Sequence, residues 1–392
     1  MESMSPRERV IRTLEGKPVD RVPCFCAMME SRTANEILGK PLISAEFITA
    51  NPVSSFFMNT LPEKLTKPIA RWTLINTLHK RNVAQAKMGF DAIWALYDDS
   101  WHFPDAKTIA ITSGSIFNMI PDGFGDMSYM YRSPGIKTPE DFEAWPYWPD
   151  ADAQAHKVYK YFKKFAAEYG ENNCIVGYGF FGGLQESMNW TFGIDKVPIW
   201  IKKHPNYVNR YLDIIEEIHV KTENAMLDAG VPVVLITDDF AFKTGPFLSP
   251  KMVEEVFGHR YKRIIKNVHG RGAKFILHSC GDNTKLFDVF IGWGVDGLHA
   301  YENTSNVDIC NEKKIHGDKV TIIGGVGIDY LLTERSKDEE IVDKVKELIS
   351  KLGPGGRFML SPVHSEDSMP AHKLQVMLDA VKKYGEYPIA VS

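Results

Sequence analysis

V-P-V-V-L-I-T at Val231–Thr237 and A-K-F-I-L-H-S-C-G-D-N at Ala273–Asn283 are two apolar runs of strand length. Between them lies a helical pattern whose start is marked by Ser249-Pro250, an N-cap residue followed by proline at the first helical position. Strand, helix, strand in that order implies a parallel βαβ unit. The second run ends on His278 and Cys280, and Gly281 then lets the backbone turn. Side chains alternate along an extended segment, so two residues spaced by one face the same way. Two good metal ligands therefore point together at a strand end.

The same rhythm extends outward. Cys174–Tyr178 precedes this unit as a strand, and Val295–His299, Val320–Gly324 and Arg357–Leu360 follow it, each succeeded by a helical pattern. Upstream, Val22–Cys26 and Phe90–Leu96 add two more, for eight in all. Eight βα units close into a TIM-type (β/α)8 barrel, whose active site lies at the C-terminal strand ends. His278, Asp238, Asp239, Glu302 and His364 all fall at such ends. An open doubly wound sheet is the alternative, but the glycine fingerprint it would often carry is absent after the first strand. Gly177-Tyr-Gly179-Phe-Phe-Gly182 spells it only in mid-chain, with no well-placed acidic residue after it.

Before the first strand, residues 5–14 read as a helical N-terminal extension with Ser5 as N-cap and Pro6 behind it, and residues 71–88 as a helix. Residues 30–70 carry no clear pattern. From Asp105 to Arg132, Gly, Ser and Thr mix with alternating apolar residues, which predicts one or two hairpins inserted beside the barrel. Pro134–Pro149, with four prolines and two tryptophans, should wrap the surface before a helix at 151–169. The expectation is one barrel domain over 1–392 with an inserted subdomain within 100–170.

Composition bounds the function. At 392 residues, 44% hydrophobic and 24% charged, the chain has an ordinary soluble composition. A net charge of −4 and the lack of a basic block argue against nucleic acid. No apolar run approaches the roughly 18 residues of a membrane span, and the start lacks a signal-peptide core, so a cytoplasmic location is expected. Five cysteines without a secretion signal suit free thiols or metal ligands better than disulfides.

A catalytic zinc takes three protein ligands and leaves a position open. After His278 and Cys280, the third should come from another strand end, and His364 sits just past the last one. Glu302 competes for that place or serves as acceptor for a metal-bound imidazole. The bland reading of the same residues is a satisfied barrel-end histidine, a buried thiol and a loop histidine. Asp238 and Asp239 are candidate proton-holding or substrate-binding groups; adjacent residues point apart, so only one can face the pocket. The turn around Gly325 gives room for a ligand, and Tyr178, Tyr301 and Trp190 could wall an apolar pocket. Cys24 and Cys26 read as core thiols, and Cys174 and Cys310 as structural.

The chain resembles the uroporphyrinogen decarboxylase superfamily, and within it the cobalamin-linked methyltransferases. The resemblance is carried by R-x-x-x-T-L-E-G-K-P-V-D-R-V-P at Arg9–Pro23, D-D-x-x-x-x-x-G-x-x-L-S-P at Asp238–Pro250, H-S-C-G at His278–Gly281, G-V-D-G-L-H-A-Y-E at Gly294–Glu302, and G-P-G-G-R-F-M-L-S-P at Gly353–Pro362. It implies a TIM-like barrel, zinc, a small methylated substrate and cobalamin carried by a partner corrinoid protein, since no D-x-H-x-x-G motif is found here; a homodimer is left open. The arginine-rich stretch with which true uroporphyrinogen decarboxylases hold substrate carboxylates is replaced by Cys26-Ala-Met-Met-Glu-Ser31. In the methylcobamide:coenzyme M branch, H-x-C and a distant cysteine hold zinc that binds a thiol; here His364 takes the distant position. Imidazole for thiolate makes the metal a better Lewis acid, suited to polarising an ether oxygen. The resemblance thus points to corrinoid-dependent O-demethylases acting on a methoxylated aromatic, with thiol methylation or a metal-free decarboxylase as alternatives.

Overall fold

The computed structural model describes residues 3–39, 62–105, 107–111, 113–121, 127–301, 305–364 and 369–389. Eight parallel strands form one sheet: β1 (Phe25–Cys26), β2 (Ala92–Leu96), β7 (Cys174–Tyr178), β8 (Val233–Thr237), β11 (Lys274–His278), β12 (Gly297–Tyr301), β13 (Thr321–Val326) and β14 (Phe358–Pro362). The ring closes where Cys24 bridges Leu360 in parallel and the Leu360 N–H donates to the Pro23 carbonyl at 3.0 Å. The expected (β/α)8 barrel is what forms.

The first strand is shorter than the expected Val22–Cys26. Pro23 has no N–H to give the ladder, and the Val22 N–H goes to Gly385 instead. The sixth barrel strand starts two residues late because Gly294, at φ +100°, ends the helix Phe287–Trp293 and the chain needs Val295 and Asp296 to reach the sheet.

Period-two alternation splits the apolar residues into two layers. Phe25, Trp94, Val176, Leu235, Ile276 and Met359 fill the barrel interior, whereas Val234, Phe275, Leu277, Leu298 and Leu360 pack outward under the helices. The N-terminal helix Pro6–Leu14, capped by the Ser5 side chain, puts Val10 and Leu14 into the interior cluster and so stoppers the bottom of the barrel. Its Arg9 pairs with Asp20 and Asp91, and Arg21 also pairs with Asp91, tying the entry segment to β2.

Between β2 and β7 the chain makes a four-stranded antiparallel sheet: β3 (His102–Asp105), β4 (Thr108–Ile111), β5 (Ser115–Pro121) and β6 (Met127–Pro134); a short antiparallel pair, β9 (Ala241–Phe242) and β10 (Gly245–Pro246), follows β8. Phe103, Ile109, Ile111 and Phe117 of this sheet join the same apolar cluster as the barrel interior. The insertion thus shares the barrel's core and brings its last strand over the mouth. The expected helix at 151–169 is present as Ala151–Tyr169, and residues 63–88 form one long helix.

Candidate metal centre

His278 is the last residue of β11, Cys280 lies two residues beyond, and His364 lies two residues beyond β14. Their donor atoms all lie within 4.8 Å of one another. The Cys280 sulfur is 3.3 Å from His278 Nε2. His278 is buried, Cys280 half-buried and His364 exposed, so the trio opens toward the mouth. The turn after Cys280 depends on Gly281, which sits at φ +86° with the Ala241 carbonyl only 2.4 Å from where a Cβ would be. Asp239 accepts the Cys280 N–H at 2.8 Å and fixes that residue from the next strand end.

Behind His278 stands His299, a residue that sequence reading passed over. The two are register partners on β11 and β12, and their Nδ1 atoms are 2.6 Å apart. His299 Nε2 lies 3.1 Å from the Pro362 carbonyl. Burial pushes His278 far below the ordinary imidazole range and His299 down to about 3, so both rings are neutral near pH 7. Neutral imidazole is the form that binds metal. Aligning the ends of neighbouring strands would have flagged His299, since it falls opposite a candidate ligand.

His278 and His364 of the trio line a cavity of about 420 Å³, within the range for small-molecule sites. One wall is aromatic: Trp94 from β2, Tyr129 from the inserted sheet and Phe181 after β7. Tyr129 meets Phe181 edge to face at 5.5 Å, and Trp190 stacks behind Phe181 at 5.2 Å. Asp98 holds this wall by accepting the Phe181 N–H and the Trp101 indole N–H.

The lining also carries three acidic residues: Glu30, Glu186 and Asp239. Glu30 pairs with Arg81 at 2.5 Å. Glu186 accepts from the Thr237 hydroxyl at 3.1 Å. Burial, then the carboxylates of Asp239 and Asp238, push its carboxyl well above the ordinary range, which favours its protonated form. Glu186 was also missed in the sequence. It sits in the first turn of the helix Leu184–Phe192, where an acidic residue reads as an ordinary favourable helix start.

The other expected site residues fall elsewhere. Asp238 is fully buried and turned away from the cavity; it accepts the N–H groups of Gln185 and Glu186 and the Tyr261 hydroxyl, and so caps that helix. Gly183 permits this approach, since a Cβ there would lie 2.4 Å from that of Asp238. Tyr178 is buried below the floor, its hydroxyl at 2.5 Å from that of Thr237. Tyr301 faces the helix layer and packs on Phe287 at 5.1 Å, because the β12 register shifts between Leu298 and Tyr301. A side chain at Gly325 would meet Leu348, on the same outer side. Glu302 lies outside the described residues. Cys24, Cys26 and Cys174 are buried, and burial raises all three thiols, Cys174 to about 12.

Comparison with known proteins gives these features a family context. The profile of the uroporphyrinogen decarboxylase (URO-D) family matches residues 119–384. The methylcobamide:CoM methyltransferase MtaA of Methanosarcina barkeri is 25% identical over 163 residues, 42% of this chain and 44% of that protein. The chain therefore matches less than half the length of this relative. A methyltransferase from Methanosarcina mazei superposes with a TM-score of 0.66 at 18% identity, covering 97% of this chain and 99% of that one. A B12-independent methionine synthase from Shewanella sp. W3-18-1 follows at 0.51 and 12% identity, covering 92% and 96%. At these identities the likeness is one of fold. Among the described residues no helix is long and apolar enough to cross a membrane.

Proposed function

The chain belongs to the uroporphyrinogen decarboxylase family, and from that premise we propose that it is a zinc-dependent corrinoid methyltransferase acting on a methoxylated aromatic substrate. The reading is carried by one observation: His278, Cys280 and His364 converge beside an aromatic-walled cavity at the barrel mouth. Two imidazoles and a thiolate suit zinc, and three ligands leave a position open. A zinc ion held there would supply Lewis-acid polarisation of the substrate's ether oxygen.

The chain's own residues do the rest. Trp94, Tyr129 and Phe181 offer faces and edges to stack the substrate ring. A corrinoid presented at the mouth would supply the acceptor for the methyl group that leaves the ether oxygen. The oxygen keeps the bonding pair and takes the proton held on Glu186, so that a neutral phenol departs. Asp239 keeps Cys280 in place, and its charge adds to the burial that raises the Glu186 carboxyl. A cavity of about 420 Å³ is far too small for a corrinoid, which supports its being carried by a partner protein.

Thiol methylation from a methylated corrinoid is the second reading, favoured by the name of the Methanosarcina barkeri relative. It would need a group to take a thiol's proton, whereas burial favours the protonated form of Glu186. A decarboxylase working on a polycarboxylated tetrapyrrole fits poorly, because the cavity wall is acidic and the arginine that lines it, Arg81, is paired with Glu30.

The test is metal analysis joined to a transfer assay. Protein purified without chelator should hold close to one zinc per chain and demethylate a methoxybenzoate in the presence of a reduced corrinoid protein. Zinc well below one per chain that cannot be restored, or no methyl exchange across a panel of methoxyaromatics and thiols, would overturn the proposal.

A further inference from the structure

We propose that His299 is a positioning residue for the metal centre: through a relay ending on the Pro362 carbonyl, it holds His278 in the tautomer that leaves Nε2 free for a metal. The inference rests on reading His278, Cys280 and His364 as metal ligands, and it names a residue outside that set.

The tautomer follows from counting hydrogens. A carbonyl oxygen only accepts, so at 3.1 Å the His299 Nε2 must donate to Pro362. A neutral imidazole carries a single N–H, which leaves His299 Nδ1 as an acceptor. The 2.6 Å contact between the two Nδ1 atoms needs one hydrogen, and only His278 can supply it. His278 Nε2 is then left with its lone pair, on the side where Cys280 Sγ lies at 3.3 Å. The reverse polarity would need a donor to His299 Nε2. Ser361 Oγ lies 3.3 Å from that atom, but it lies closer, at 2.7 Å, to the Pro362 carbonyl to which it donates.

Packing keeps both rings from turning over. Trp94 lies 5.3 Å from the His278 ring and 6.3 Å from the His299 ring, and Phe25 meets His299 edge-on at 5.5 Å. His299 is 3% exposed, so no water competes for the shared hydrogen. Outer hydrogen bonds of this kind fix the orientation of ligating histidines and raise their basicity.

The experiment compares zinc affinity, by chelator competition, of the wild type, His299→Phe and His299→Asn. The Phe variant keeps ring volume without an acceptor, and zinc binding should weaken about 10- to 100-fold. The Asn variant places Oδ1 near the former Nδ1 position and should recover most of that loss. Cobalt(II) absorption should change in the Phe variant and return toward wild type in the Asn variant. A Phe variant that binds zinc as tightly as wild type, or an Asn variant as weak as Phe, overturns the relay. Wild-type protein that takes up no metal removes the metal reading itself, a different outcome from normal wild-type uptake without loss in Phe. A second measurement needs no substitution: in isotope-labelled, cadmium-loaded wild type, metal coupling should appear through His278 Nε2 with Nδ1 still protonated. Coupling through Nδ1 would overturn the proposal.

Discussion

The Asp239 carboxylate accepts the Cys280 backbone N–H at 2.8 Å, while its neighbour Asp238 turns the other way to cap a helix. One residue of the pair serves the site and the other the scaffold. Replacing Asp239 should therefore act on two things at once. Asp239→Ala loses the Cys280 contact, and zinc affinity should fall about 10- to 100-fold. Asp239→Asn keeps an acceptor but removes the charge that raises Glu186. Glu186 works protonated, so activity falls as pH rises through its pKa, and the fall should move to lower pH in the Asn variant. A profile of kcat/KM against pH checks this.

Glu186→Gln keeps the size and removes the proton. Turnover of a methoxybenzoate should drop about 10²- to 10⁴-fold with zinc content unchanged. Ethers whose leaving phenol is already acidic should suffer far less. Equal losses across leaving groups would show that Glu186 does not deliver the proton.

Tyr129 and Phe181 make the aromatic wall. Removing either ring by Tyr129→Ala or Phe181→Ala should raise KM by about 2- to 12-fold, from an aromatic pair worth roughly 0.5–1.5 kcal/mol. Zinc content should stay at the wild-type level, because neither residue belongs to the trio.

Asp238→Ala leaves two backbone N–H groups and the Tyr261 hydroxyl without their buried acceptor. Each such loss costs roughly 1–3 kcal/mol, offset in part because burial already raises the Asp238 carboxyl to about 7, so urea denaturation at pH 7 should show a net loss of about 3–5 kcal/mol, close to the limit of what point changes do.

His219 supplies a pH signature outside the site. It is buried against the Gly182 carbonyl, and burial lowers it to about 4. The unfolded chain binds this proton near pH 6.5 and the folded chain only near 4, so stability is present above 6.5 and is lost as pH falls between the two. The loss is on the order of 3 kcal/mol. The neighbouring Glu223, raised by burial, binds its proton more tightly in the folded chain and so works in the opposite direction as pH falls, which is why the His219 contribution is read from the comparison of the two proteins. Unfolding at pH 7 and pH 4.5 should differ by less in His219→Gln than in wild type.

Much of the site was legible before folding because it is written along single strands. His278 and Cys280 share a face by period-two alternation, and His364 follows a strand end, so local spacing places all three at the mouth. Tyr178, Tyr301 and Gly325 read equally well as mouth residues but lie elsewhere, since strand position fixes height in the barrel and not which layer a side chain enters. A register shift in β12 sends Tyr301 outward. Helix capping draws Asp238 away from the cavity.

By itself the sequence determined the alternation of strands and helices, the barrel and the half-site at His278 and Cys280, because hydrophobic periodicity and ligand spacing are local properties. Only the tertiary structure decided the partners across strands. Glu186 reaches the cavity from a helix start, Tyr129 arrives on an inserted sheet, and His299 meets His278 through the register of two parallel strands. Those contacts join residues far apart in the chain, and closing the barrel is what sets the distances between them.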